Sequence, residues 1–117
     1  VYTVILTPNG GRRFEYISAG VERMTGLSPD TVTENAIHFY DRILSEDRYR
    51  VGRTESEAMR TLSRFDVETR YHASDNEIRW WHIRAMPRPL PDGSVAWDGF
   101  ITDCTERKQL EEESRIT

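Results

Sequence analysis

The stretch Trp97-Asp98-Gly99-Phe100-Ile101-Thr102-Asp103-Cys104-Thr105-Glu106-Arg107-Lys108 decides the reading of this chain. It runs from a β-strand straight into a charged helix. Asp103 is placed to cap that helix, and Glu106, three residues on, to reach back to its N–H in a capping box. Strand end and helix start then share one residue, so strain in the strand alters the helix. Such an exit points to signalling before catalysis, with Asp103, Thr105 and Glu106 as the residues that carry it. The plainer reading, that Asp103 simply caps a helix, holds alongside. Further on, Leu110, Ser114 and Thr117 fall at coiled-coil-like spacing, though only Leu110 is a good core residue. So short and charged a helix is not stable alone, and it is expected to pair with a second copy.

Working back toward the N-terminus, Val95–Thr102 reads as the last of three consecutive strands. Phe65, Val67, Thr69 and Tyr71 alternate with Asp66, Glu68, Arg70 and His72, the pattern of a strand buried on one face. Ile78–Met86 follows after a turn at Ser74-Asp75-Asn76-Glu77, and Pro87–Gly93 reads as a loop. Val51, Ala58, Met59 and Leu62 recur at helical spacing, predicting an amphipathic helix over about 46–62 with Ser45 as its cap. Upstream, Ser28-Pro29-Asp30 starts one helix and Ser18 caps another over 20–25, which Gly26 ends. Val1–Thr7 and Arg13–Ile17 form a hairpin across Pro8-Asn9-Gly10-Gly11. Two strands, a helical insert and three strands imply an α+β fold, an antiparallel sheet with helices over one face.

At 117 residues the chain is one domain with room for a real core. A net charge of −4 gives no electrostatic footprint for nucleic acid or an anionic membrane surface. No apolar run is long enough to span a bilayer, and no signal peptide leads the sequence. The single cysteine, Cys104, excludes an internal disulfide and an all-cysteine metal cage and fits a reducing compartment. Both ends fall inside apparent elements, so the chain reads as a module cut from a longer, cytoplasmic or membrane-anchored protein.

Taken together, these segments resemble the PAS domain family over nearly the whole sequence. Phe14-Glu15-Tyr16-Ile17-Ser18, then Val21-Glu22 and Met24-Thr25-Gly26-Leu27-Ser28-Pro29-Asp30, look like the family's opening strand, short helix and Thr-Gly-Tyr-Ser-Pro-Glu run. Ile78-Arg79-Trp80 and the Asp92-Gly93 turn look like its fourth-strand hairpin. Trp97-x-Gly99 with Asp103–Lys108 is similar to its Gly-x-x-x-Asp-Ile-Thr-Glu-Arg-Lys exit. Two departures stand out: Leu44-Ser45-Glu46-Asp47-Arg48 where many members carry His-Pro-Asp-Asp-Arg, and Cys104 where Ile is usual. The resemblance implies a five-stranded antiparallel sheet of order 2-1-5-4-3. It divides the chain into a sensory core, 1–104, and the start of a signalling helix, 105–117. It also implies a homodimer whose output domain, in the same chain, is a bacterial sensor histidine kinase of a two-component phosphorelay. The alternatives are a cyclase or phosphodiesterase of cyclic dinucleotides, or a ligand-free relay module.

Cofactors are tested on residues. The light-sensing branch of the family needs a cysteine in an Asn-Cys-Arg-Phe-like run, and Phe39–Arg48 has none; its flavin-facing Gln corresponds to Ile101 here. Photoactive flavin is therefore not expected. Haem is not expected either, because the long helix holds no histidine; His38 precedes it and His72 and His82 lie in strands. No cluster has zinc spacing, so no metal is assigned. An unidentified small molecule remains, with Tyr40, Ile43, Met59, Leu62, Tyr71, Trp80, Trp97 and Ile101 as candidate pocket residues; the bland alternative is that they fill the core. Trp80 and Trp81 are adjacent on a strand, so one indole points away from the helices, toward a dimer partner or the flanking helix. No Gly-x-Ser-x-Gly, His-Glu-x-x-His or phosphate-cradling loop is present, and the acidic residues read as capping or outward-facing, so the fragment is read as non-catalytic.

Overall fold

A computed structural model describes residues 1–116, with side chains through Ser114. The chain runs β1 (Tyr2–Leu6), β2 (Arg12–Ile17), α1 (Gly20–Thr25), α2 (Pro29–Glu34), α3 (Ile37–Tyr40) and α4 (Ser45–Thr61). It continues through β3 (Phe65–His72), β4 (Ile78–Pro89), β5 (Val95–Asp103) and α5 (Thr105–Ile116). The strands form one antiparallel sheet of order β2-β1-β5-β4-β3, as the resemblance implied.

Alternation sorts each strand into two faces. Trp81, Ile83 and Ala85 of β4, Val67 and Tyr71 of β3, and Phe14 of β2 point toward α1–α4 and form the core. Glu68, Trp80, His82, Arg84 and Met86 occupy the opposite face. Gly99 lets β5 lie close to β4: a Cβ there would sit 2.0 Å from the Arg84 carbonyl oxygen.

Several local expectations are corrected. Ser45 is the first residue of α4 rather than its cap; its hydroxyl donates to Glu46 at 2.8 Å, and Leu44 holds the cap position without a side-chain bond. Ser18 does not cap α1 either: Ala19 does, with helical backbone angles. Ser28 caps α2 as read, accepting from the Thr31 N–H at 3.2 Å. The helical insert holds four helices, not three, because Ile37–Tyr40 closes a single turn too short to display a period. Asn35 Oδ1 starts that turn by accepting from the Ile37 N–H at 3.1 Å.

β4 runs on through Pro87 and Pro89 rather than ending at Met86. Leu90 N–H donates to the Ser94 carbonyl, so Arg88, two residues back, shares that bonded side against β5. Both prolines therefore face the other edge, where β3 has already stopped at the Phe65/Ala85 pair, and their missing N–H costs nothing.

Asp47, in the first turn of α4, is buried rather than simply solvated. Its carboxylate accepts from the Arg70 backbone N–H at 3.0 Å, Arg70 Nη2 at 2.7 Å and Nε at 3.1 Å, tying α4 to β3. The Arg70 side-chain bonds hold its pKa below the ordinary aspartate range, against the opposing cost of burial.

Candidate functional site

Between α3, α4 and the inner sheet face lies an apolar cavity of about 30 Å³, room for a pair of waters. Tyr40, Ile43, Trp97 and Ile101, four of the expected pocket residues, line it. The other four do not. Tyr71 is fully buried beside the cavity in an aromatic stack. Met59 packs against the core from α4 without reaching the space. Leu62 closes α4 in a left-handed conformation, φ 51°, which turns it out to solvent at 49 % exposure. Trp80 lies on the opposite sheet face.

Sequence reasoning missed Tyr2, Phe14, Phe39 and Glu55 in the wall. Glu55 carried a readable signal. It falls four residues after Val51 and three before Ala58, so it stands on the buried stripe of α4 where the pattern wants an apolar side chain. There it pairs with Arg12 of β2: Arg12 Nε lies 3.0 Å from Glu55 Oε1, and Nη2 binds the same oxygen. The guanidinium carbon sits 5.0 Å from the centre of the Tyr40 ring. Burial pushes the Tyr2 and Tyr40 phenols well above their usual pKa, and the Glu55 charge adds to both shifts. The cavity abuts a groove of about 240 Å³ between α3 and α4, and Tyr40, Ile43, Val51 and Glu55 border both.

From this wall an aromatic series crosses the core. Tyr40 meets Phe39 edge-on at 5.5 Å; Phe39 stacks on Trp81 at 4.8 Å and 7°, and Trp81 on Tyr71 at 4.0 Å and 5°. The Tyr71 hydroxyl then donates to Asp103 Oδ2 at 2.6 Å. Asp103 Oδ1 accepts from the Thr105 N–H at 2.9 Å, at the first residue of α5. Burial raises the Asp103 pKa, but the bonds from Tyr71 and Thr105 outweigh it and the net shift is downward.

The expected capping box does not form among the described residues. Asp103 bonds the first amide of α5, and Glu106 makes no return bond to it. Asp103 is the last residue of β5, in register with Trp81, and α5 begins two residues later, at Thr105. Thr105 ties the helix start to β4: its hydroxyl accepts from the Trp80 N–H at 2.9 Å, while Cys104 N–H donates to the Trp80 carbonyl at 2.9 Å. The helix is thus stitched to β4. Lys108 lies 4.5 Å from the Trp80 ring centre and 3.3 Å from Glu68, and Arg107 pairs with Glu68 as well. Of the two anticipated places for the outward indole, the flanking helix is the one that covers it. Thr117, the last position of the expected coiled-coil spacing, lies outside the described residues.

Among the described residues no group of three or more His, Cys, Asp or Glu is placed to hold a metal ion, and no helix is long and apolar enough to cross a membrane. No curated protein sequence matches the chain. Among solved structures, it is similar to a domain assigned to a light- and redox-sensing histidine kinase from Haloarcula marismortui. That match has 27 % identity, a TM-score of 0.71, and covers 89 % of each chain. The N-terminal domain of a diguanylate cyclase with PAS/PAC sensor from Marinobacter aquaeolei matches at 18 % identity and a TM-score of 0.74, over 92 % of this chain and 97 % of that one. A sensory box histidine kinase/response regulator from Burkholderia thailandensis matches at 22 % identity and 0.64, over 98 % and 85 %. The family model for the PAS fold matches residues 14–101, and with the sheet order and the exit helix this places the chain in the PAS-fold family of signal-transduction sensors.

Proposed function

We propose that the chain is the sensory and dimerisation module of a bacterial sensor histidine kinase, non-catalytic itself. Residues 1–104 are the sensor and 105–117 begin the helix that leads to the output domain. The observation that carries this reading is the unbroken run from the cavity wall through Phe39, Trp81 and Tyr71 to the Asp103 carboxylate at the start of α5. A small molecule entering beside Phe39 shifts a stack whose far end holds the first amide of the exit helix. Cores repack between discrete arrangements rather than deforming smoothly, so a small displacement is passed on as a switch. The similarity to the Haloarcula domain supports a histidine-kinase output; a cyclase or phosphodiesterase output is the alternative raised by the Marinobacter neighbour.

Neither haem nor photoactive flavin belongs to this proposal, and the parent is placed in the cytoplasm or on its side of a membrane. The homodimer uses the outer sheet face, where Tyr16, Met86 and Phe100 remain 48–59 % exposed. Tyr16, Thr3, Asp98 and Met86 stand in one row across four strands of that face.

Two experiments test the reading. In native mass spectrometry, a small-molecule adduct at unit stoichiometry supports chemical sensing, whereas a clean apo dimer favours the ligand-free relay. Asp103→Ala costs about 0.5–2 kcal/mol as a lost helix-start contact. It also uncouples signal from output in the full-length protein; unchanged signalling would remove Asp103 from the relay.

A further inference from the structure

The polar corner of the cavity names a ligand chemistry. Among the residues lining the space, Glu55 is the one that carries a charge at neutral pH. Arg12 lines the outer groove but not the inner space; its two bonds to Glu55 both fall on Oε1, and it also neighbours the Tyr40 ring. No described residue donates to Oε2. The Glu55 side chain is 13 % exposed and borders both the cavity and the groove. The Tyr2 and Tyr40 phenols lie near enough for its charge to oppose their ionisation. The indole nitrogen of Trp97, the other polar atom of the wall, has no accessible surface and does not front the space. What remains is a carboxylate oxygen, phenol oxygens that accept hydrogen bonds, and aromatic rings whose faces attract cations.

A primary ammonium satisfies that set, with up to three N–H donors and one positive charge. A neutral molecule leaves the carboxylate oxygen unanswered, and an anion meets it with like charge. Resting on the reading of the cavity as the sensory site, we propose that this module binds a small apolar primary amine. The ammonium pairs with Glu55 Oε2 and the apolar body lies among Phe14, Phe39, Ile43 and Val51. The cavity holds little more than two waters as it stands, so a larger body extends into the groove bordered by the same Tyr40, Ile43, Val51 and Glu55. Arg12 and the ligand then share one carboxylate, and Arg12 is a competitor as well as a latch.

The test is calorimetric titration of the 117-residue chain with benzylamine, benzyl alcohol and benzoate at pH 7, with melting curves alongside. Benzylamine is expected to bind at least about tenfold more tightly than benzyl alcohol, and benzoate not at all. Glu55→Gln is expected to erase the preference while leaving the alcohol's affinity in place. Arg12→Ala, which frees the carboxylate, is expected to strengthen amine binding. That opposite sign keeps the outcome readable should Glu55→Gln fold poorly. Equal affinity for amine and alcohol, a preference that survives Glu55→Gln, or binding of benzoate overturns the amine while leaving the cavity a ligand site. If none of the three probes binds, the amine and the cavity reading fail together.

Discussion

Trp80 and Trp81 are neighbours in the chain and have opposite fates. Trp81 points into the core, wholly buried, between the Phe39 and Tyr71 rings. Trp80 points to the outer face, half-buried under α5, where the Lys108 ammonium covers its ring. The first is fixed by shape, since an indole sandwiched between two rings has one arrangement that leaves no void. The second is fixed by charge and by two backbone-level bonds at Thr105 and Cys104, contacts that water can replace. The sheet thus separates a core that specifies the fold from an exit helix held loosely enough to be moved.

Truncation of the buried partner tests the first half of that contrast most severely. Trp81→Ala should cost about 4 kcal/mol, the sum of lost burial and an unfilled cavity. Against a typical total of about 5–15 kcal/mol this leaves the domain marginal. Denaturant unfolding should show a large fall in midpoint. A loss below about 1.5 kcal/mol would mean that the rings close over the gap and the stack is not rigid.

An intermediate case sharpens the comparison. Asp47 is also a charged contact, made to Arg70, the residue directly opposite Trp80 on β3, yet it is buried. Asp47→Ala should cost about 2–3 kcal/mol, because the Arg70 amide and guanidinium lose their acceptor together. Its pH dependence follows from the sign of the shift. The folded-state pKa lies below the unfolded value, so the contribution is complete above the unfolded pKa and disappears as pH falls through the folded one. The stability gap between wild type and Asp47→Ala should therefore be constant near neutrality and close in acid. A gap that persists at the lowest pH of folding would assign the effect to packing instead.

These contrasts also show how far the sequence could be read. Period-2 alternation in Phe65–His72 and helical spacing through Val51, Ala58 and Met59 gave the sheet and α4, because burial on one face imprints itself directly on residue order. The turn and exit motifs gave the sheet order through a family resemblance. Four of the thirteen wall residues, Tyr40, Ile43, Trp97 and Ile101, were legible as such, half of the eight expected. The rest were not, for distinct physical reasons. Leu62 obeys the helical period but falls on the residue where α4 ends, so the left-handed turn carries it outward. Tyr71 and Trp80 alternate correctly along their strands, yet alternation does not say which face holds the cavity or what stacks on it. Asp47 read as ordinary first-turn charge because its partner Arg70 is distant in sequence, and Glu55, though it stands on the buried stripe of α4, gave no sign of its equally distant partner Arg12. The capping box failed because Asp103 is still a strand residue: α5 starts at Thr105, so Glu106 is its second residue, and Tyr71 claims the second oxygen of Asp103.

The smallest effect belongs to the outer indole and tests whether the exit helix is separable from the core. Lys108→Met keeps the length of the side chain and removes its charge, and with it the contacts to the Trp80 ring and Glu68. Burial opposes ionisation of Glu68, but its bonds to Arg107 and Lys108 hold its pKa below the ordinary range, so Arg107 still anchors it in the variant. The loss should be about 0.5–1 kcal/mol, the worth of one partly exposed cation over a ring plus a screened ion pair. It should appear as faster amide hydrogen exchange confined to α5, with the global unfolding midpoint almost unchanged. About 1 M salt should loosen α5 of the wild type in the same way, since charges then interact over only about 3 Å. A variant that instead lowers the global midpoint as far as Asp47→Ala does would show that α5 unfolds with the core. The helix would then be part of the domain, and a signal reaching Asp103 would have no freely moving element to act upon.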